Sequence, residues 1–594
     1  MTPLVKLSIV VPTHNRRDVL VSRTLPAIFE QDFPADEYEV IVVVDGSTDG
    51  TAEALRMLHP PCSLRIIEQP NRGPSAARNK GIQAARGNLV LFLDDDIICG
   101  PHLLEQHAAA HADPEPAVAY GPISVAPGTP PSVYGYAVET WYQKYYGHIA
   151  SQNGLKWPGD VYLISNSSLP RATLLACGGF DENMPAKEDY ELGLRLWKMG
   201  VRFHYLPQGV ACEFFVKPSR YVLRNDGEIY GRTEVLLSRK HPEYRPCSEL
   251  AALGKMVWWK RLRRQIYVRL PVSPAGLLRA PIWACDKLCR FPSPQRAGQR
   301  LLGIGRSIVE SRSATREVGS WKALQREFGM RLPVLLYHHI GLLRPETTPG
   351  LTVSPERFER QVRWLARRGY TGICPADWLR WRREGTGLPD QPILLTFDDG
   401  YADLADYAFP ILRRYGFGAG VFIVTGQVGG TNAWDEARGA AILRLLTAEQ
   451  IRYWATQGIE FGAHSRTHAD LATLSAQELA EEVVGSRDDL ASLLGSQVVS
   501  FAYPYGFHNQ AIVDCVRVAF DLAFITPDHG EGLNNLLTDP HLLLRTMVQP
   551  GDTLLDLECR ARWGYNPLLN LRARLRLRSH LKRAVLSVLD HGKS

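Results

Sequence analysis

The sequence predicts an α/β protein of two domains: an open, Rossmann-like parallel sheet followed by a distorted (β/α) barrel. Three observations lead there. The runs Val40-Ile41-Val42-Val43-Val44 and Leu89-Val90-Leu91-Phe92-Leu93 are uninterrupted apolar strands, the mark of a parallel sheet buried on both faces. Each run ends on an acid, Asp45 or Asp94, at the strand end where open α/β sheets bind ligands. A second series of β-then-α units starts at Pro333-Val334-Leu335-Leu336-Tyr337, and 594 residues exceed what one core usually serves.

Taken in order, the first strand is Leu7-Ser8-Ile9-Val10-Val11, and the α/β pattern continues to about residue 121. A helix over Tyr190 to Met199 is closed by Gly200. Residues 246–330 are rich in Pro, Gly, Trp and Arg with weak periodicity, and read as a basic, partly helical connector. In the second domain, Ser354-Pro355-Glu356 looks like an N-cap followed by Pro at the first helical position, with Phe358, Val362 and Leu365 on one face. Strands are expected at Ile393–Phe397, Gly420–Val424, Ile459–Ala463, Val498–Tyr503 and Leu522–Ile525, and capping boxes at Thr447/Gln450 and Ser475/Glu478. The expected boundaries are 1–245, 246–330, 331–560 and a basic tail, 561–594.

Composition narrows the class. Hydrophobic content of 45% and charged content of 22% are those of a globular chain, and a net charge of +6 makes no case for nucleic acid. The ten cysteines are scattered without a CxxC pair, so neither a zinc knuckle nor a disulfide framework is signalled. With no signal-peptide pattern and no apolar run long enough to span a bilayer, a soluble cytoplasmic protein is expected. No acid occurs between Glu249 and Asp286 or between Glu558 and Asp590, although Lys and Arg are frequent there. Trp258-Trp259-Lys260-Arg261-Leu262-Arg263-Arg264 and the tail from Arg572 to Arg583 read equally as membrane-surface segments and as solvated basic helices.

Asp94-Asp95-Asp96 offers carboxylate oxygens to a divalent cation at the ligand edge of the first sheet; by itself it is also an ordinary acidic turn. Around it, in order, stand Val11-Pro12-Thr13-His14-Asn15, Val44-Asp45-Gly46-Ser47-Thr48-Asp49, Asn71-Arg72-Gly73-Pro74-Ser75-Ala76-Ala77-Arg78-Asn79-Lys80-Gly81, Gly178-Gly179-Phe180-Asp181-Glu182 and Lys187-Glu188-Asp189-Tyr190-Glu191-Leu192. Residues 5 to 245 thereby resemble the family 2 glycosyltransferases, which have the GT-A fold. The resemblance implies an inverting transferase using a nucleotide-sugar donor, expected to be a UDP-sugar, with Mn2+ or Mg2+. Pro12, Asp45, Arg78, Asp94 and Asp96 would bind the donor, Asp45 at the uracil or ribose, and Asp96 would also bind the metal. Asp189 would be the general base. Glu213 stands where the family often has His, and Glu can ligate a metal but cannot donate to phosphate.

Hydrolysis of an amide needs a polarised carbonyl, an activated water and a base. Thr396-Phe397-Asp398-Asp399-Gly400 puts two carboxylates at the end of a buried strand, and His464-Ser465-Arg466-Thr467-His468 puts two imidazoles just past another. With Tyr337-His338-His339 and Phe501-Ala502-Tyr503-Pro504-Tyr505-Gly506, these motifs make residues 332 to about 550 similar to the polysaccharide deacetylases of carbohydrate esterase family 4. The resemblance implies Asp398 as general base, Asp399, His464 and His468 as ligands of Zn2+ or a similar divalent metal, and the Tyr505 N–H as oxyanion donor. Two departures stand out. Ala502 replaces the Arg that orients the base, and Leu543-Leu544-Arg545 lies where the family's late His would supply the general acid, leaving His541 as a substitute.

The expected function is a bifunctional enzyme that adds a sugar, such as an N-acetylhexosamine, to a glycan or polyprenyl-linked acceptor and removes an N-acetyl group. Its expected place is the cytoplasm, peripheral at the inner face of the membrane. A rival from another class is an active transferase carrying a non-catalytic, carbohydrate-binding deacetylase domain.

Overall fold

A computed structural model describes residues 5–567 apart from 114, 116, 152–164, 215–217, 220–221, 224–226, 271–273, 343–350, 439–440 and 527–531. The chain divides into two compact units, Met1–Leu250 with Met256–Leu324, and Ala251–Lys255 with Gln325–Ser594.

The first unit is built on strands β1 (Leu7–Thr13), β2 (Tyr38–Asp45), β3 (Ser63–Gln69), β4 (Leu89–Phe92), β5 (Ile97–Cys99), β6 (Ala117–Tyr120), β7 (Ile123–Val125), β8 (Ser167–Pro170), β9 (Arg202–Tyr205) and β10 (Ala211–Glu213). Seven of them form one sheet in the order β3-β2-β1-β4-β8-β6-β9, parallel except for β8, which runs against both neighbours. Every residue of β1 and β2 is buried. Ile9, Val11, Val40 and Val42 enter the core on one face, while Val10, Ile41 and Val43 enter the core on the other. That two-sided burial is why these runs do not alternate with polar residues. A small sheet, β5-β10-β7, aligns Glu213 opposite Ile97, directly beside Asp96.

Residues 246–330 differ from the connector expected. Helices Trp258–Arg269, Arg279–Lys287 and Pro292–Glu317 belong to the first unit, and the last of them packs along helices Gly227–Lys240 and Val133–Ser151. The approach is close: a Cβ on Gly231 would lie 2.2 Å from the Glu310 carbonyl oxygen, so only glycine fits there. Prolines at the helix start and glycines in its buried face blurred the apolar period that would have revealed this 26-residue helix.

The second unit holds β11 (Leu332–Tyr337), β12 (His339–Ile340), β13 (Thr352–Val353), β14 (Thr371–Gly372), β15 (Pro392–Phe397), β16 (Ala419–Ile423), β17 (Ile459–Ala463), β18 (Ser500–Ala502), β19 (Leu522–Ile525), β20 (Leu533–Asn534), β21 (Leu543–Leu544) and β22 (Thr546–Met547). The main path, β20-β11-β15-β16-β17-β18-β19-β21, is parallel from β11 to β21, and β22 pairs back onto β11. The sheet therefore comes nearly full circle, with Arg545 alone between β21 and β22 at the seam. Helix Pro355–Arg367 starts at Ser354, whose side chain accepts from the Arg357 N–H, and buries Phe358, Val362 and Leu365. Thr447/Gln450 and Ser475/Glu478 form reciprocal capping boxes. At the far end, helix Leu554–Trp563 runs past residue 560 to Gly564, and the basic run from Arg572 lies outside the described residues.

Candidate functional site

In the first unit β1, β2 and β4 are parallel, so Thr13, Asp45 and Asp94 arrive at one edge of the sheet. Pro12 lies within β1, opposite Val43. The Asp45 carboxylate is buried and accepts the N–H groups of Arg72 and Gly73, both at 2.8 Å, and Gln69 Nε2 at 2.8 Å. Arg78 bridges two motifs, with Asp94 Oδ1 and Glu188 Oε1 each at 2.7 Å. Asn79 ties a third, accepting the Phe180 N–H at 2.8 Å and donating to the Phe180 carbonyl at 2.9 Å. Gly179 (φ +70°) makes room for it, since a Cβ there would lie 2.5 Å from Asn79 Oδ1.

The electrostatics separate these acids. Burial, and after it the charges of Glu213, Asp95 and Asp94, holds the Asp96 carboxyl well above the usual carboxylate range, with Arg16 as its cation at 3.4 Å. Burial pushes Asp95 up to about 6, and its carboxylate accepts the Thr13 hydroxyl at 2.7 Å. Glu213 accepts the Tyr142 hydroxyl at 2.5 Å. Asp189 is in the first turn of helix Glu188–Lys198 and forms no ion pair among the described residues. Burial, followed by the adjacent Glu188 charge, raises its carboxyl above the ordinary range, the direction a general base at neutral pH requires.

In the second unit the strand ends bring four buried groups together. Asp399 Oδ1 lies 3.6 Å from His464 Nε2 and 3.3 Å from His468 Nε2. Ligand atoms of these three residues all fall within 4.8 Å of one another, the compact metal-donor set among the described residues. His464 Nδ1 is fixed on the Ala502 carbonyl at 2.7 Å, leaving Nε2 for an ion, and burial lowers this imidazole to about 4 and keeps it neutral. One carboxylate and two imidazoles suit a zinc-like ion with open positions. Asp399 (φ +69°), Ser465 (φ +60°), His468 (φ +63°) and Tyr505 (φ +57°) are all left-handed, a cluster of strained backbone of the kind that collects at active sites. The Tyr505 ring meets the His468 ring edge-on at 4.5 Å, and Trp434 stacks on His468 at 5.0 Å.

Asp398 points to a different partner. Arg545 Nη1 and Nη2 donate to its two oxygens at 2.6 and 2.8 Å, and both residues are buried. Burial pushes the Asp398 carboxyl up, but the Arg545 charge, with His464 and His338, more than offsets it and leaves the group below its ordinary value. Arg545 thus supplies, from the barrel seam, the guanidinium missing at Ala502. In the sequence Arg545 stands where the family's late histidine is expected; a lone charge among Leu542, Leu543, Leu544 and Met547 was the available signal. His541 does not reach the site. Its Nε2 is on the Phe520 carbonyl at 2.9 Å, before the start of β19, whereas the metal set lies past the strand C-termini.

Comparison with known proteins matches the Glycosyl transferase family 2 model to residues 8–159, the Glycosyl transferase family group 2 model to 89–285 and the Polysaccharide deacetylase model to 386–519. YxkH of Bacillus subtilis, assigned as a polysaccharide deacetylase, is 24% identical over 41% of this chain and 81% of its own. Validoxylamine A glucosyltransferase of Streptomyces hygroscopicus subsp. limoneus is 31% identical over 33% of this chain and 48% of its own, so the match spans about half of that relative. The solved deacetylase PplD of Streptococcus pyogenes, in complex with acetate, matches at 25% identity over 39% of this chain and 97% of its own, with a TM-score of 0.34. Two enzyme modules on one α/β chain define a bifunctional carbohydrate enzyme. The chain joins a family 2 glycosyltransferase domain to a polysaccharide deacetylase domain, two families that commonly use divalent metal ions.

Proposed function

We propose that the first domain transfers a sugar with inversion from a nucleotide-sugar donor, a UDP-sugar, to a glycan or polyprenyl-linked acceptor. The second domain hydrolyses the N-acetyl group of an amino sugar in such a glycan. The observation that carries the reading is the division of duties between adjacent carboxylates, Asp398 gripped by Arg545 and Asp399 set among His464 and His468. That grip also weighs against a purely binding role for the second domain.

In the deacetylase, a zinc-like ion held by Asp399, His464 and His468 would polarise the acetyl carbonyl and acidify the attacking water. Asp398 takes the water's proton, and Arg545 keeps its carboxylate ionised and in one orientation. The Tyr505 N–H donates to the oxyanion formed as water adds to the carbonyl; when the amide C–N bond then breaks, the proton taken by Asp398 passes to the departing nitrogen, so that acetate and amine leave. In the transferase, Mn2+ or Mg2+ at Asp96 would offset the charge of the departing diphosphate. Asp45 and Asp94, immobilised by the loop amides and by Arg78, would hold base and ribose, and Asp189 takes the proton of the acceptor hydroxyl. The reading puts the work in the cytoplasm at the inner face of a membrane, where a lipid-linked acceptor is presented; the ten free cysteines agree with a reducing compartment. The test is direct. Purified full-length protein should release nucleoside diphosphate from one of a panel of UDP-sugars in the presence of acceptor, and acetate from N-acetylated chito-oligosaccharide. Absence of both products across the panels refutes it.

A further inference from the structure

The first unit carries a helix docked the wrong way round. Helix Trp258–Arg269 buries none of its residues, yet Trp258, Leu262, Ile266 and the following Leu270 form one apolar stripe at four-residue spacing, and Trp258 is 69% exposed. Its polar side faces the protein. Arg264 Nη1 donates to the hydroxyls of Ser307 and Ser311 at 2.7 and 2.9 Å, and Arg312 Nη1 to the Leu270 carbonyl at 2.6 Å. Beyond the helix the exposed apolar set continues with Leu277 (80% exposed), Trp283 (61%), Leu288 and Phe291. An amphipathic helix ordinarily buries its apolar stripe, so this arrangement leaves that stripe for a surface outside the fold.

The charge says which surface. Between Leu250 and Val309 the chain has twelve Lys and Arg against a single acid, Asp286. Asp286 is itself consumed, accepting the Val133 N–H and the Ser219 hydroxyl at 2.8 Å each. Several of the cations lie over the exposed rings: Lys260 and Arg263 at 5.4 and 5.5 Å from Trp259, Lys287 at 5.9 Å from Trp283, Arg290 at 5.5 Å from Phe291. Aromatic rings ringed by cations suit the interface of a bilayer with anionic headgroups. A second copy of the chain would bring two basic faces together, and no helix among the described residues is long and apolar enough to cross a membrane.

We infer that helix Trp258–Arg269 and residues 276–291 form a docking face for an anionic lipid surface. It deepens the reading of the acceptor as lipid-linked and rests on that reading for its purpose. The same Asp286 that anchors the face holds the first residue of helix Val133–Ser151, whose Tyr142 donates to Glu213 beside Asp96. One helix thus joins the docking face to the transferase acids.

The test uses the full chain with vesicles of phosphatidylcholine alone and of phosphatidylcholine with phosphatidylglycerol, read by co-sedimentation and tryptophan emission. The protein should bind the anionic vesicles at low salt, with a blue shift, and bind less as salt shortens the screening length to about 8 Å. The triple variant W258S/W259S/L262S should bind about ten-fold or more weakly, because exposed apolar area is what it loses. K260E/R263E should lose the preference for anionic vesicles. Both variants should release nucleoside diphosphate normally with a water-soluble acceptor. Wild type left in the supernatant, or unchanged binding by the triple variant, overturns the docking face. A dimer that the triple variant abolishes, without vesicle binding, overturns it in favour of a second copy. Wild type that binds vesicles but releases no nucleotide leaves the docking face standing and refutes the transferase reading alone.

Discussion

Asp398 and Asp399 are neighbours in the chain whose carboxylates meet opposite partners, a guanidinium and two imidazoles. Asp399→Ala, His464→Ala and His468→Ala should each lose bound zinc, whereas Asp398→Asn should retain it and lose about 10²–10⁴-fold in acetate release. Zinc quantification beside acetate assays separates the two; the opposite pattern would reverse the assignments. Arg545→Met should cost about 3–5 kcal/mol in stability, since it leaves a buried carboxylate unpaired, and depress acetate release as well. Arg545→Lys should recover little, because an ammonium cannot make the bidentate contact seen at 2.6 and 2.8 Å. Wild-type melting and activity in both variants would remove Arg545 from the account. The metal-set residues were legible because Asp399 adjoins Asp398 in one short motif and His464 and His468 stand four residues apart in another. Arg545 was not, because it lies 147 positions from Asp398 and only barrel closure brings the two together.

Helix Glu188–Lys198 positions Asp189 through the acid two residues on. Glu191 is fully buried and held by Arg195 at 2.7 Å, His241 at 3.1 Å and Lys240 at 2.6 Å. Burial pushes its carboxyl up, but the hydrogen bonds from His241, Arg195 and Lys240 outweigh it and bring it to about 2, below its ordinary 4.5. A depressed carboxylate stabilises the fold at pH above 4.5, and the contribution is lost as pH falls from there toward about 2. Glu191→Gln should therefore lower stability at pH 7 by on the order of 3 kcal/mol, with the gap from wild type narrowing below pH 4.5. A gap that stays constant down to pH 3 in urea titrations would contradict this. Elements with local signals were legible: the buried strands, the Ser354 cap and the two capping boxes follow from adjacent residues. The helices between Trp258 and Glu317 were not, because their packing depends on glycine contacts with distant partners and one of them shows its apolar stripe outward.

In the proposed function one polypeptide performs two chemistries at two separate sets of acids. The order of motifs made that legible, since each domain carries its own strand-end carboxylates, although the matched transferase relative is covered only by about half. Domain limits were less so: residues 258–317 go with the first unit rather than standing apart as a linker. A sugar acceptor bearing N-acetyl groups allows both products to be followed together. The most direct measurement takes wild type, Asp189→Asn and Asp398→Asn as full-length proteins and records nucleoside diphosphate and acetate release from each in parallel. With separate acceptor and N-acetylated substrates supplied, Asp189→Asn should lose nucleotide release and keep acetate release, and Asp398→Asn the reverse. Loss of both activities in either variant with the fold intact, or of neither, would contradict two independent catalytic centres.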